Sequence, residues 1–318
     1  MRLKNLSETL EVAVVGIGHF GRRHVQCYRY LRRSRLLALV DPNPATWVIA
    51  RRLGVSWLPR VDLLPSSVQA VSVATPVASH YQIAQALLQR GMDVLLEKPM
   101  AETSAQAREL RALAESHGRV LQIGHLERFN PAFAAGRALM ARAQRIRAVR
   151  TTCRQPRSGA VDVVMDLMIH DLDLLLYGVL SQVVEIRARG RTRGWSAIDE
   201  AEVELRFANG CEANLFAGWG AETEEARDRH MVLELGNGEV WALDFRRRVA
   251  YRQRHDAREP NLPEPAAGDD PLRRQLSSFL ESAWHRSPPS VSAQEGLTAL
   301  DLMQRVRLHI LGPRYSVA

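Results

Sequence analysis

Three closely spaced glycines near the N-terminus constrain the fold of this chain more than any other feature. They stand at positions 16, 18 and 21, directly after the strand-like run Glu11 to Val15. A strand that ends in this spacing and opens a helix brings backbone without Cβ atoms against a pyrophosphate, whose charge then lies at the helix N-terminus. An ordinary glycine-rich turn shows the same pattern, so a second signal is needed. The residues of the predicted cofactor loop are Gly16, Ile17, Gly18, His19, Phe20 and Gly21.

The second signal is a carboxylate at the end of the next predicted strand. Leu36 to Val40 is apolar, and Asp41 follows it, twenty residues beyond Gly21. A dinucleotide-binding sheet places there the acidic residue that binds the ribose hydroxyls. Asp41 predicts NAD rather than NADP, because a carboxylate repels a 2′-phosphate. Arg51 and Arg52 lie a helix away and are not expected to compensate.

Length and cysteine content place further limits on the class of protein. The 318 residues exceed the usual size of one core and predict two domains. No apolar run approaches membrane-spanning length, and the N-terminal residues lack the apolar segment of a signal peptide, so we expect a cytoplasmic protein without membrane contact. Cys27, Cys153 and Cys211 show neither metal-ligand nor redox-pair spacing, and no metal is expected.

The basic residues support two inferences. The formal charge is +8, but the basic positions are scattered and form no stripe with aromatic residues, which argues against a nucleic-acid partner and favours an anionic small molecule. Of 43 basic residues, Lys4 and Lys98 are the 2 lysines, which leaves 41 arginines. A lysine kept in the interior of such a chain is a candidate for a role that needs a compact ammonium with a shiftable pKa; chance retention is the alternative.

Residues 11–124 alternate apolar strands with helical patterns, which predicts a doubly wound parallel sheet of the Rossmann type. The predicted strands are Glu11–Val15, Leu36–Val40, Ala70–Ala74, Asp93–Leu96 and Val120–Ile123, and the predicted helices are His19–Arg33, Pro44–Leu53, Ser79–Arg90 and Thr103–His117. Ligands of such sheets gather beyond the carboxyl ends of the strands. The candidate loops at those ends are Ala74-Thr75-Pro76, Glu97-Lys98-Pro99 and His125 to Pro131.

After Pro131 the pattern becomes that of an α+β domain. Asn209-Gly210 and Asn237-Gly238 are hairpin signals, which predicts a mainly antiparallel open sheet. The predicted elements are a helix at Ala132–Arg145, strands at Arg147–Arg154, Gln182–Thr192, Ala201–Ala208, Glu212–Trp219, His230–Leu235 and Glu239–Phe245, a loop at Arg254–Asp270, and helices at Pro271–His285 and Ser292–Ile310. We therefore expect an NAD-binding domain at 1–124 and a domain for substrate binding and oligomerisation at 125–318.

One helix of the second domain, Val161 to Tyr177, is apolar on most sides and is expected to be buried. At 100° per residue, four polar positions form one narrow stripe: Asp162, Asp166, His170 and Asp173. Carboxylates and an imidazole are costly to bury unless they are paired or functional, so the stripe predicts a cleft wall. The alternative makes Asp162 a helix cap and His170 an ordinary core histidine.

Together these motifs resemble the glucose-fructose oxidoreductase and inositol dehydrogenase family, often abbreviated Gfo/Idh/MocA, over nearly the whole chain. The matching motifs are Gly16-Ile-Gly-His-Phe-Gly21, Asp41, Ala74-Thr75-Pro76 with His80, Glu97-Lys98-Pro99, and Asp166 and His170 in an Asp-x-x-x-His pattern. The resemblance implies that the motifs up to Lys98, including Ala74, Thr75, Pro76, His80 and Glu97, bind NAD. It also implies that Lys98, Asp166 and His170 face the nicotinamide and the sugar, that Pro99 follows a cis peptide bond, and that subunits pair through the second sheet as homodimers or homotetramers.

The segment Gly124 to Ala132 is similar to a narrower subgroup of the family. This subgroup includes UDP-N-acetylglucosamine 3-dehydrogenases of lipid A precursor synthesis, whose ketone product goes to an aminotransferase. The resemblance implies a nucleotide-sugar substrate and a PLP-dependent sugar aminotransferase as the next enzyme. Two alternatives remain: a dehydrogenase of a free sugar or cyclitol, and a dinucleotide-binding sensor without turnover.

Oxidation of a secondary alcohol by hydride transfer requires a base for the hydroxyl proton. Histidine has a pKa near neutrality, so His170 suits that role, while Lys98 would stabilise charge on the same oxygen. Asp166 would orient His170 or a neighbouring hydroxyl. A desolvated Lys98 is an alternative base. Arg128 and Asn130 follow a predicted strand and are candidates for holding the substrate; for Arg128 the alternative is a salt bridge.

Overall fold

The computed structural model describes residues 9–153, 161–194, 198–221, 223, 226–253 and 270–312. The chain forms two compact units, Met1–His125 with Leu272–Thr298 and Leu126–Pro271 with Ala299–Ala318. Within the described ranges, none of the helices combines the length and the hydropathy that crossing a membrane requires. Apart from Asp270, the predicted loop Arg254–Asp270 lies outside these ranges, as does Arg154 at the end of a predicted strand.

The first unit is built on a parallel sheet. Its strands are β1 (Leu10–Val15), β2 (Ser34–Val40), β3 (Ser56–Leu58), β4 (Ala70–Val73), β5 (Asp93–Glu97) and β6 (Leu121–Gly124). They pair in the order β3-β2-β1-β4-β5-β6. The strands β4, β5 and β6 are buried throughout, as a sheet covered on both faces requires. The predicted Rossmann sheet is confirmed, and its strand order reverses between β1 and β4, where ligands of this fold bind.

The helices between the strands of this sheet follow the predicted pattern with shorter ends. They are α1 (His19–Tyr30), α2 (Trp47–Leu53), α3 (His80–Gln89) and α4 (Ser104–Ser116). A capping box starts α4: Thr103 Oγ1 accepts the amide of Gln106, whose side chain accepts the amide of Thr103. The strand β3 was not predicted, because three residues are too few to show a period.

The second unit contains a mixed sheet that is mainly antiparallel, as predicted. Its strands are β7 (Ala143–Thr152), β8 (Val183–Arg191), β9 (Glu200–Phe207), β10 (Glu212–Trp219), β11 (Arg229–Leu235), β12 (Val240–Asp244) and β13 (Val249–Gln253). Their order is β13-β12-β11-β7-β10-β9-β8, and the pair β7 and β10 is parallel while the others are antiparallel. Gly210 and Gly238 form the predicted hairpin turns with φ of 86° and 81°, where a Cβ would be strained.

Two helices of the second unit position the residues of interest: α5 (Pro131–Met140) and α6 (Ile169–Val179), the latter preceded by a π-helical turn at Val164–Met168. Helix α5 packs on β11, β12 and β13, and the π turn packs on β7 and β10. The prediction extended α5 to Arg145. The chain instead enters β7 at Ala143, because Ile146, Ala148 and Arg150 alternate as buried residues of a strand.

The C-terminal segment departs from the predicted domain division. Most of α7 (Pro271–His285) and the start of α8 (Ala293–Leu311) belong to the first unit, and α8 then continues in the second. The edge strand β6 explains this return, since the amide of Ile123 donates to the carbonyl of Val291 at 3.0 Å. Arg286 also pairs with buried Asp93 at 2.7 Å. The segment covers a sheet edge that would otherwise expose backbone groups.

Candidate functional site

The glycine loop lies at the carboxyl end of β1 and leads into α1. Gly16 has φ of 86°, and a Cβ there would come within 2.8 Å of the carbonyl oxygen of Ala74, while a Cβ at Gly21 would overlap the carbonyl oxygen of Gly16. Gly18 is the N-cap of α1, and a Cβ at this position would meet open space. The first turn of α1 carries no acidic side chain, so its free amides and positive dipole end are available to an anion. This cradle fits the pyrophosphate of a dinucleotide.

Asp41 is partly exposed at the end of β2 and joins that strand to the glycine loop. Its Oδ2 accepts the amide of Ile17 at 2.6 Å and its Oδ1 accepts the amide of Asn43 at 2.8 Å. The two amides fix the carboxylate beside the loop while each oxygen keeps a second lone pair. The guanidinium of Arg51 lies over the ring of Trp47, 5.1 Å from its centroid. The place of Asp41, at the end of β2 and beside the glycine loop, is the one at which dinucleotide-binding sheets carry an acidic residue for the ribose.

His80 lies between two of the candidate cofactor loops. Its side chain is buried at 1% exposure; Nδ1 lies 2.8 Å from the carbonyl oxygen of Pro99 and Nε2 lies 2.8 Å from that of Thr75. Burial lowers the pKa of His80, although both carbonyls favour the protonated form. In the structure, His80 ties the Ala74-Thr75-Pro76 loop to the Glu97-Lys98-Pro99 loop. Ala74 and Thr75 themselves are partly exposed beside Gly16.

The Glu97-Lys98-Pro99 loop presents a single side chain to the surface. Within the fully described stretch Met92–Ala101, every residue except Lys98 is buried. Glu97 turns inward, where its Oε1 accepts Nε2 of Gln275 at 3.1 Å and lies 3.3 Å from Nε2 of His24. The structure thus gives Glu97 protein partners at its Oε1. The peptide bond between Lys98 and Pro99 is cis, as the resemblance implied.

In the second unit, Asp166 and His170 resemble Lys98 in one respect, which is that each is partly exposed within a buried stretch of the chain. Asp166 lies in the π turn and His170 near the start of α6. From Asp162 to Leu175, a stretch described in full, these two side chains are partly exposed and all the others are buried. The helix thus presents one carboxylate and one imidazole from an otherwise closed surface.

The predicted four-residue stripe is wrong at its two ends. Asp162 caps the π turn, because its Oδ1 accepts the amides of Val164 and Met165 at 3.1 and 3.0 Å, and its Oδ2 accepts Nε of Arg307 at 2.7 Å. Asp173 is buried and bound to Arg128. The π turn breaks the assumed 100° spacing, so the stripe reduces to Asp166 and His170.

Arg128 and Asn130, the candidates for holding substrate, both have partners within the protein. Nε and Nη2 of Arg128 donate to Asp173 at 2.8 and 2.6 Å, and the guanidinium also lies over the ring of Tyr177. Asn130 is buried, caps α5 through the amide of Ala132, and donates to Glu127. The salt-bridge alternative for Arg128 is therefore the one that the structure shows.

A buried ionic cluster beneath α6 was missed by the sequence analysis. Arg150 on β7 is 1% exposed and donates to both oxygens of Asp171 at 2.8 and 2.9 Å and to Oε1 of Glu127 at 2.8 Å. Burial alone would lower the pKa of Arg150, but Asp171 and Glu127 raise it above its ordinary value. The signal was present in the sequence: Arg150 occupies an inward position of β7, in phase with Ile146 and Ala148.

Comparison with known families defines the class of protein. The chain matches the model described as "Oxidoreductase family, NAD-binding Rossmann fold" over residues 10–125 and the "GFO/IDH/MocA C-terminal domain" over residues 134–254. The protein therefore belongs to the Gfo/Idh/MocA family of oxidoreductases, as the motifs implied.

Particular relatives narrow the comparison. The chain is 37% identical over 210 residues to a UDP-N-acetylglucosamine 3-dehydrogenase of Acidithiobacillus ferrooxidans, an alignment that spans 65% of this chain and 66% of that protein. A solved structure of that dehydrogenase has a TM-score of 0.86 and 30% identity over 95% of this chain and 98% of the other. An inositol 2-dehydrogenase of Streptomyces avermitilis is 26% identical over 97% of both chains. GenD2 from gentamicin A biosynthesis, solved in complex with NAD, shares the fold with a TM-score of 0.83 at 20% identity, over 98% of this chain and 97% of the other.

Proposed function

We propose that this oxidoreductase acts in the cytoplasm, where it oxidises the C3 hydroxyl of UDP-N-acetylglucosamine with NAD to give the 3-keto sugar nucleotide and NADH. The observation that carries the proposal is the similarity of this chain to a dehydrogenase named for that substrate and position. The similarity extends over 98% of the solved structure of that dehydrogenase. The segment Gly124 to Ala132, which resembles the same subgroup, supports it. We place the reaction before a transamination in lipid A precursor synthesis.

The chain's own residues divide the work of the reaction. Bound NAD supplies the hydride acceptor, in a site that the glycine loop, Asp41 and the Ala74-Thr75-Pro76 loop would form. His170 takes the proton of the hydroxyl, Asp166 orients the imidazole, and Lys98 donates a hydrogen bond to the oxygen that becomes the carbonyl. The surface access of these three side chains, each in a buried stretch, supports the assignment. In the alternative mechanism Lys98 is the base and His170 donates the hydrogen bond. The pH dependence of turnover would then report the ionisation of Lys98 and not that of His170.

The direct test couples the protein to a PLP-dependent sugar aminotransferase with glutamate. The 3-keto product is expected to accumulate poorly, so removal of the ketone draws the reaction forward. Mass spectrometry should detect the 3-amino sugar nucleotide when UDP-N-acetylglucosamine and NAD are supplied. Faster NADH formation from free glucose, inositol or glucosamine would favour a dehydrogenase of free sugars or cyclitols, and binding of NAD without any turnover would favour a sensor.

The position of Asp41 predicts that the protein binds NAD at least about tenfold more tightly than NADP, or roughly 1.4 kcal/mol. Its fixed carboxylate accepts hydrogen bonds from a ribose diol and repels a 2′-phosphate. Isothermal titration calorimetry with both cofactors measures the difference. Asp41→Asn should narrow it, and equal or tighter binding of NADP to the unmodified protein would contradict the prediction.

We also propose that the protein forms homodimers or homotetramers through the outer face of its second sheet. Charges of both signs alternate on that face: Arg206 pairs with Glu185 at 2.8 Å, and Arg145 lies 3.9 Å from Glu212 and from Glu234. Such a face is able to pair with a second copy or to stay solvated. Light scattering at micromolar concentration should give at least twice the chain mass of 35.7 kDa. A monomer under those conditions would reject the proposal.

A further inference from the structure

The carboxylate of Glu97 is enclosed by side chains and backbone from several elements of the first unit. His24 on α1 approaches its Oε1 to 3.3 Å, and Gln275 on α7 donates to the same oxygen at 3.1 Å. Both of these residues have 0% exposure. At Gly124 on β6, a Cβ would come within 2.5 Å of the carboxylate, so this position has no room for a side chain. The buried side chain of Glu97 is thus held in one place.

The other end of the same loop is held by His80. The imidazole lies 2.8 Å from the carbonyl oxygen of Pro99 and is itself buried. Lys98 stands between these two fixed neighbours and is the residue of the loop that reaches the surface. Successive side chains of an extended chain point in opposite directions, so an inward Glu97 directs Lys98 outward.

We propose that Gln275 is a positioning residue for Lys98 and acts through the carboxylate of Glu97. The proposal rests on the proposed function in one respect, which is that Lys98 is a catalytic residue. Burying a carboxylate costs free energy unless donors compensate it, and Gln275 provides the hydrogen bond that fixes this one. A displacement of about 1 Å at a reacting group reduces rates by about a hundredfold, so a fixed anchor beside Lys98 has a functional use. Because Gln275 lies on α7, the C-terminal segment that returns to the first unit would also contribute to the site.

Gln275 makes two hydrogen bonds, and removing them one at a time distinguishes an effect on Lys98 from a general loss of stability. Its side chain donates to Glu97, and its backbone carbonyl accepts Nε2 of Gln122 at 3.1 Å. Gln275→Met removes the first bond and keeps the side-chain length. Gln122→Met removes the second bond at an equally buried position and leaves Glu97 and Gln275 joined. Gln122→Met is therefore the matched control.

The first measurement does not depend on any substrate. Because Lys4 and Lys98 are the lysines of the chain, competitive acetylation followed by mass spectrometry gives the reactivity of Lys98 relative to Lys4 as an internal reference. We expect Gln275→Met to change this ratio at least about threefold, because Lys98 is then no longer held in one position beside its anchor. Gln122→Met should leave the ratio as in the unmodified protein. Glu97→Gln should change it as well, and this variant replaces Gln275→Met where the latter does not fold.

The second measurement is kinetic. With UDP-N-acetylglucosamine in the coupled assay, Gln275→Met should lower kcat about tenfold or more and leave the KM for NAD within about twofold, whereas Gln122→Met keeps kcat even if its Tm falls equally. An unchanged acetylation ratio in both Gln275→Met and Glu97→Gln, or equal losses of kcat in Gln275→Met and Gln122→Met, would overturn the proposal. A changed ratio together with no turnover in the unmodified protein would reject the proposed substrate and support the anchoring of Lys98.

Discussion

Lys98→Arg should lower turnover about a thousandfold while the affinity for NAD stays within about twofold. The substitution keeps the charge and is routine elsewhere in a chain with 41 arginines among 43 basic residues. A guanidinium is a planar fork that stays protonated, and it cannot occupy the place of a compact ammonium between buried neighbours. The coupled assay measures turnover, and calorimetry measures NAD binding.

A converse variant separates chemistry from cofactor binding. Gly18→Ala should keep the fold, because a Cβ at this position meets open space, but it should weaken NAD binding by filling the cradle in front of α1. Lys98→Arg and Gly18→Ala are thus expected to lose activity for different reasons. If Lys98→Arg kept most of its activity, the lysine would be a chance survivor in an arginine-rich chain.

Lys98 could be found from the sequence because two independent signals coincide there. It follows a predicted buried strand, and it interrupts an otherwise consistent use of arginine. The roles of its neighbours could not be found in this way. Glu97 and His80 belong to the same motifs as Lys98, yet their side chains point inward to partners 178 and 19 residues away in sequence. A motif identifies residues that act together, and the contacts of the folded chain add which of them fix the loop to the rest of the unit.

The helix of Asp166 and His170 shows a second limit. An assumed 100° per residue correctly selects a polar pair on an apolar helix, but it adds Asp162 and Asp173 to the same stripe. A π turn at Val164–Met168 changes the angular spacing and carries no sequence signature of its own. The position of the C-terminal helices was unpredictable for a related reason. Amphipathic pattern shows that a helix is packed, and it does not show which sheet covers it.

Arg150→Met should lower the free energy of unfolding by about 3–5 kcal/mol. The substitution leaves Glu127 and Asp171 buried without the guanidinium that bonds to both, and apolar burial of the methionine does not offset two uncompensated charges. Urea unfolding at pH 7 measures the loss. Arg187→Met is the matched control, because Arg187 pairs with Glu185 on the exposed edge of the same sheet and should contribute little.

The pH dependence of Arg150→Met distinguishes charge from packing. Burial already raises the pKa of Asp171, and Arg150 opposes that shift, so without the arginine the folded-state pKa of Asp171 should rise further above the unfolded value of about 4. The folded state then binds more protons than the unfolded state, and stability falls as pH rises through that window. The deficit relative to the unmodified protein should therefore be smaller at about pH 5 than at pH 7 and above. A deficit that is the same at both pH values would show that Arg150 stabilises the sheet under α6 through packing alone, and the ionic account of this cluster would fail.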